Sequence, residues 1–196
     1  MKFCSHCGNP VSLEVPPGDS RERFVCATCN IIHYQNPRIV AGCLPIWEDR
    51  VMLCRRAIQP RKNTWTLPAG FLENNETCFA GAARETWEEA RARVANPHLY
   101  TVFSLPHISQ VYLFYRAQLV DGSFAVGEET LEVALFAEHE IPWDELAFPV
   151  VGKTLRHYFA DRRERHFPVR TEDIIVTKPN VQGAIEDCAA EPPVPP

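Results

Sequence analysis

The chain has 196 residues, 45% hydrophobic and 23% charged, with a formal net charge of −5. That composition fits a soluble globular protein with one domain of ordinary size plus a small appendage, and the mild acidity gives no electrostatic footing for a nucleic-acid partner. No run of 18 apolar residues offers a membrane span, and the opening MKFCSHCGNP has no apolar secretory core.

Residues 1–35 read as a separate small unit. Cys4-Ser5-His6-Cys7 is followed, after eighteen residues, by Cys26-Ala27-Thr28-Cys29, with Pro16, Pro17, Gly18 and Asp19 as a turn between. Each CxxC offers two soft thiolates from one tight turn, so two of them suit one tetrahedral Zn²⁺. A unit this small buries too little to fold alone, and bound metal would supply the missing free energy. His6 and His33 are alternative ligands, but with four cysteines available they are expected to be bystanders. A metal site, rather than disulfides, points to a reducing, cytoplasmic setting.

From residue 36 the pattern changes. RIVAGCLPIW (38–47) and RVMLCRRA (50–57) read as strands joined by a Glu48-Asp49 turn. RKNTWTLPAGFL (61–72) is a strand end and a Gly/Pro-punctuated loop. Residues 77 to about 94 read as a helix capped by Thr77, with Phe79, Ala83, Trp87 and Ala90 as its apolar stripe. LYTVFSLP (99–106), SQVYLFYRAQLV (109–120) and EVALFAE (132–138) read as strands. PWDELAF (142–148) reads as a short helix, and 151–165 as an amphipathic one with Leu155, Tyr158 and Phe159 inward. The Pro-rich end gives a division into 1–35, 36–168 and a disordered tail, 169–196. This order predicts an α+β fold with a mixed sheet between helices.

The chemistry concentrates in ARETWEEARARV (83–94). Glu85, Glu88 and Glu89 share one helix face and repel one another unless a cation intervenes. Hard oxygen ligands at this density suit Mg²⁺ or Mn²⁺. Arg84 stands four residues before Glu88, at ion-pair spacing. GEETLE (127–132) supplies further acidic residues, Glu128, Glu129 and Glu132.

Gly70-x5-Glu76-x7-Arg84-Glu85-Thr86-x-Glu88-Glu89-x-Arg91-Ala92 resembles the signature box of the Nudix hydrolases, Gly-x5-Glu-x7-Arg-Glu-U-x-Glu-Glu-x-Gly-U with U apolar. Arg91 replaces the last glycine and Thr86 an aliphatic residue, so the helix is expected to run on through Arg93 and stop at Asn96-Pro97. The resemblance implies an α/β/α sandwich, preceded here by the zinc ribbon. It also implies divalent-metal-dependent cleavage of a nucleoside diphosphate linked to another group, and a homodimer. By position, Glu85, Glu88 and Glu89 would hold Mg²⁺ or Mn²⁺, with the backbone at Ala69 or Gly70 completing the shell. Arg84 would orient a glutamate such as Glu76, and Glu128 or Glu129 would supply a base.

The ribbon resembles that of subgroups acting on FAD, ADP-ribose or NADH. The Ser-Gln-Pro-Trp-Pro-Phe-Pro motif of the NADH group is missing from FSLPHISQVYLFYRAQL, which favours FAD and ADP-ribose. NADH or NAD, a nucleoside triphosphate, capped RNA, and a non-catalytic nucleotide sensor are the alternatives. Arg55, Arg56, Trp65 and Phe71, with Phe103 and Tyr112 behind them, are the candidates for binding rings and diphosphate. His107 lies near the same region.

Overall fold

The computed structural model describes residues 1–175. Three short antiparallel strands, β1 (Ser12–Glu14), β2 (Arg23–Val25) and β3 (Ile32–His33), form the N-terminal unit. The remainder runs β4 (Arg38–Trp47), β5 (Arg50–Arg56), β6 (Trp65–Thr66), β7 (Ala69–Phe71), α1 (Cys78–Ala90), β8 (Val94–Leu105), β9 (Gln110–Leu119), β10 (Thr130–Phe136), α2 (Pro149–Glu164) and β11 (Arg170–Asp173). These strands make one mixed sheet in the order β10-β5-β4-β9-β8-β11. No helix among the described residues is long and apolar enough to cross a membrane.

Successive side chains of a strand point to opposite faces. Leu44 and Ile46 of β4, Val51 and Leu53 of β5, and Phe114 of β9 pack with Val150, Val151, Leu155, Tyr158 and Phe159 of α2. Their neighbours Ala41, Cys43 and Ala117 pack with Ala82 of α1, and Met52, Cys54 and Leu119 with Ala90. The central strands are therefore covered on both faces, which is why β4 reads as a continuous apolar run. This is the α+β sandwich expected.

Strands β4 and β5 pair directly only at Ile46–Val51 and Trp47–Arg50. Farther from their hairpin they diverge. β6 pairs with β5 at Cys54 and Arg55, and β7 pairs with β4 from Val40 to Gly42. The wedge between two core strands thus delivers Ala69 and Gly70 to the α1 side. A β-carbon at Gly42 would lie 2.4 Å from that of Ala69, so β7 can lie this close only against a glycine.

Several expectations are corrected. Helix α1 stops at Ala90: Arg91 adopts the left-handed conformation (φ 49°, ψ 27°) and its N–H donates to the Trp87 carbonyl at 2.8 Å. The next carbonyls are taken by another loop, with the Gly127 N–H on Glu89 O at 3.0 Å and the Ala125 N–H on Ala90 O at 2.8 Å. That outside capping ends the helix without glycine. Asn96-Pro97 lies inside β8, at a register shift. The buried face of α1 is Gly81, Ala82, Thr86 and Ala90, and Trp87 is 47% exposed. Of the expected stripe, Ala90 is buried and Phe79 packs at the edge of the cluster of Ala41, Cys43 and Ala117, while Thr86 takes the place of Trp87, its hydroxyl satisfied by Ala82 O at 2.8 Å.

The short helix at 142–148 is a 3₁₀ turn over Trp143–Glu145. Within the expected tail, Arg170–Asp173 is a strand paired in parallel with Thr101–Ser104. Residues 176–196 of that tail lie outside the described residues.

Candidate functional site

Four sulfurs meet in the N-terminal unit. The Sγ atoms of Cys4, Cys7, Cys26 and Cys29 all lie within 4.8 Å of one another. Cys4–Cys29 is 3.7 Å and Cys7–Cys26 is 3.5 Å. A Zn–S bond of about 2.3 Å in a regular tetrahedron requires sulfurs about 3.8 Å apart, so the thiols fit a tetrahedral metal. Asn9 hydrogen-bonds Cys7 through its side chain and backbone and holds that thiol down to about 6, which favours the ligating thiolate. The His33 ring contacts Cys4 Sγ at 3.3 Å, beside the four sulfurs.

The second centre lies along α1. Thr77 caps the helix by accepting the Ala80 N–H at 3.1 Å. Two turns beyond the cap, Arg84 gathers the acidic residues. Its Nη2 and Nε donate to Glu76 at 2.8 and 3.1 Å, and its Nη1 to Glu85 at 2.7 Å and Glu88 at 3.1 Å. Nη2 also donates to the Phe71 carbonyl at 3.1 Å, tying helix to β7. Glu76 accepts the Glu73 N–H as well, and Arg84 chiefly holds its carboxyl below the usual range.

Gly70 faces this cluster. A β-carbon there would lie 2.2 Å from Glu85 Oε1. The Glu85 carboxyl occupies the position a side chain would need, so any larger residue here would displace it from its bond to Arg84. Burial raises the Glu85 carboxyl above its ordinary value, with Arg84 opposing. Glu89 is more enclosed. Burial pushes it up to about 8; the Ala69 N–H, 3.4 Å from Oε1, opposes this, and the charges of Glu85 and Glu129 add to it. A half-buried carboxyl beside other carboxylates with one weak donor is the environment a cation would relieve.

Glu85, Glu88 and Glu89 line a cavity of about 680 Å³ with Ala69, Gly70, Glu128, Glu129 and Arg56. Glu128 and Glu129 arrive there because the loop after β9 is bonded to the end of α1. A β-carbon at Gly127 would lie 1.8 Å from the Glu88 carbonyl, so only glycine permits that contact. Glu76 stays outside the cavity wall, behind Arg84. Of the acidic residues singled out from the sequence, Glu85, Glu88, Glu89, Glu128 and Glu129 thus share one surface, whereas Glu76 and Glu132 lie outside it.

A second cavity of about 390 Å³ adjoins the first through Arg56, Ala69, Gly70 and Phe71. Its remaining walls are mainly apolar, with Val40, Leu105, Ile108, Phe114, Phe148, Val150 and Ile174 around His107, Gln110 and Tyr112. Of the four ring- and diphosphate-binding candidates, Arg56 and Phe71 line both cavities. Arg55 lines neither; it bonds the Asn63 carbonyl and pairs with Glu132. Trp65 is a core residue packed edge-on against Phe136, and Phe103 is fully buried. Leu105, Phe148, Val150 and Ile174 escape sequence reasoning, since they come from different elements and carry no local signal.

A family model described as the NUDIX domain matches residues 36–158, and one described as Nudix N-terminal, a zinc ribbon, matches residues 2–35. A solved Nudix hydrolase from Nitrosomonas europaea is 53% identical, covers 89% of this chain and 100% of its own, and superposes with a TM-score of 0.84. The NAD-capped RNA hydrolase NudC of Klebsiella pneumoniae is 29% identical over 162 residues, and that of Salmonella typhi 27% over 164. Each match covers 82% of this chain, and the chain spans 59% of the length of these curated relatives. An ADP-ribose pyrophosphatase from Streptococcus suis, 19% identical with a TM-score of 0.55 over 70% of this chain and 100% of that one, shares the fold. The four paired cysteines, the carboxylate helix facing Gly70 and these matches have one explanation: the chain belongs to the Nudix hydrolase family, in the branch with an N-terminal zinc ribbon.

Proposed function

We propose that the protein hydrolyses the pyrophosphate bond of a nucleoside diphosphate derivative, with FAD and ADP-ribose as the first candidates. The expected products are AMP with FMN, or AMP with ribose 5-phosphate. The observation that carries this reading is the adjacency of an acidic cavity and an apolar one, with Arg56 lining both. A planar ring suits the apolar walls, and an attached diphosphate would then reach the carboxylates past a guanidinium.

Glu85, Glu88 and Glu89, with the Ala69–Gly70 backbone, would hold Mg²⁺ or Mn²⁺. Such ions neutralise phosphate oxygens and acidify bound water when present. Arg84 keeps Glu85 and Glu88 on the cavity side by bonding both. Glu128 or Glu129 accepts the proton of the attacking water from the facing loop. Cys4, Cys7, Cys26 and Cys29 hold Zn²⁺ as a fold-stabilising site.

A second reading, NADH or NAD, draws on the curated relatives named as NAD-capped RNA hydrolases. The missing Pro-rich motif after the box speaks against it. One assay separates the readings: FAD, ADP-ribose, NADH, diadenosine polyphosphates and nucleoside triphosphates, each with Mg²⁺ or Mn²⁺. Preferential release of AMP from FAD or ADP-ribose is the expected result. NADH as the preferred substrate would move the assignment to the second reading, and failure on every compound would leave a nucleotide sensor.

A further inference from the structure

Strand β11 lies beyond the last residue matched by the family model, and it is built into the fold on two sides. Its backbone pairs with β8 from Thr101 to Ser104, and the ladder continues with the Ile174 N–H on the Ser104 carbonyl at 2.8 Å. Residues 170, 172 and 174 share one face of this extended segment. Arg170 Nε donates to Asp161 Oδ2 at 2.9 Å, and a second guanidinium nitrogen bonds the other oxygen. Tyr100 donates to the same carboxylate at 2.8 Å. Two residues on, Glu172 is bonded by His157 and Lys153.

The partners on α2 therefore step backward, 161 to 157 and 153, as β11 steps forward. Four helical residues rise about 6 Å and two strand residues about 6.6 Å, so the two ladders stay in step. The next rung is Ile174, opposite the first turn of α2. There it packs against the main core cluster, which includes Val150 and Val151, and lines the apolar cavity with Leu105.

We propose that Ile174, the residue that continues β11, is a wall of the substrate pocket and determines which rings fit it. The paired charges of Arg170 and Glu172 fix the register that delivers the isoleucine to the cavity. Through Arg56 the same cavity meets the carboxylates, so Ile174 acts on the ring end of a substrate and leaves the metal end alone. The reading of the ligand as a ring-bearing nucleoside diphosphate rests on the proposed function; the wall itself is tested by binding, without turnover.

The test is calorimetric titration of the full chain, and of its Ile174→Trp, Ile174→Ala and Ile174→Leu variants, with ADP-ribose and FAD in the absence of added divalent cation. A parallel titration with Mn²⁺ and a thermal melt accompany each variant. Filling the cavity with Trp should weaken ADP-ribose binding about tenfold or more, removing contacts with Ala about threefold or more, and Leu should stay within about twofold. Mn²⁺ affinity should not move, whereas a general loosening of the fold would lower both. Nucleotide affinity unchanged in both the Trp and Ala variants would overturn the proposal, as would parent protein that binds neither compound. Hydrolysis is scored separately, so a chain that binds in this Ile174-dependent way yet cleaves nothing would sink the enzymatic reading and keep the wall.

Discussion

Glu89 and Gly70 define the site at the scale of single residues. Glu89 is half-buried where its charge is costly, and a side chain at position 70 would have to displace the Glu85 carboxyl that Arg84 holds there. Gly70→Ala should displace Glu85 and lower metal-dependent turnover about tenfold or more, since small misplacements at a reacting centre are expensive. Steady-state assays across a Mn²⁺ titration would show it, and an unaltered rate would contradict the packing argument. Arg91 gives the opposite case. A non-glycine left-handed residue carries about 1 kcal/mol or more of strain, so Arg91→Gly should raise the melting midpoint by about 2–4 °C. Unchanged or lower stability would mean that the Arg91 guanidinium, 5.8 Å over the Trp87 ring, offsets the strain.

Elements explain why these residues meet. Helix α1 lies close to the sheet because both surfaces are small there, and its carbonyl end is finished by the loop after β9. Gly127→Ala cannot keep that contact: a β-carbon at 1.8 Å from Glu88 O must push the loop away, with a cost of about 1–3 kcal/mol. Both stability and turnover should fall, and a crystal structure of the variant should show Glu128 and Glu129 displaced from the cavity.

The clasp between α2 and β11 has a pH signature. Arg170, then Tyr100, hold the Asp161 carboxyl below its ordinary value, and Asp161 is 4% exposed. A depressed folded-state value adds stability that is complete above the unfolded value, about 3.9, and is lost as pH falls through the lower folded one. The melting gap between parent and Asp161→Asn should thus be constant above about pH 5 and close below about 3.9. A gap that widens on acidification would contradict the ion-pair account.

For the whole molecule, fixed spacing makes part of the site legible in the sequence. Two CxxC pairs and a helical run of glutamates carry their own geometry, because a turn or a helix alone sets the distances. The continuous apolar runs of β4 and β5 likewise announce a sheet covered on both faces. The end of α1 is not legible at Arg91, because its stop is supplied by Ala125 and Gly127 from a loop far along the chain. Trp65 and Arg55 stand away from the cavities because proximity in sequence to the box does not fix the face of a strand on which a side chain stands. The apolar cavity is illegible for a stronger reason: Leu105, Val150 and Ile174 meet only when β8, α2 and the segment through β11 are packed together.

The N-terminal unit and the sandwich should also separate energetically. A chelator strong enough to compete with four thiolates should make Cys4, Cys7, Cys26 and Cys29 reactive toward a thiol reagent while the sandwich still melts cooperatively. Thiols that react equally before chelation would argue against a bound metal.

The central claim is that the half-buried Glu89 carboxylate of α1 organises metal-dependent pyrophosphate hydrolysis. Its most direct test compares parent and Glu89→Gln in AMP release from ADP-ribose and FAD with saturating Mn²⁺, with zinc content measured in both. The account predicts zinc retained and turnover lower by about a hundredfold or more in the variant. Parent-like turnover by Glu89→Gln would contradict it.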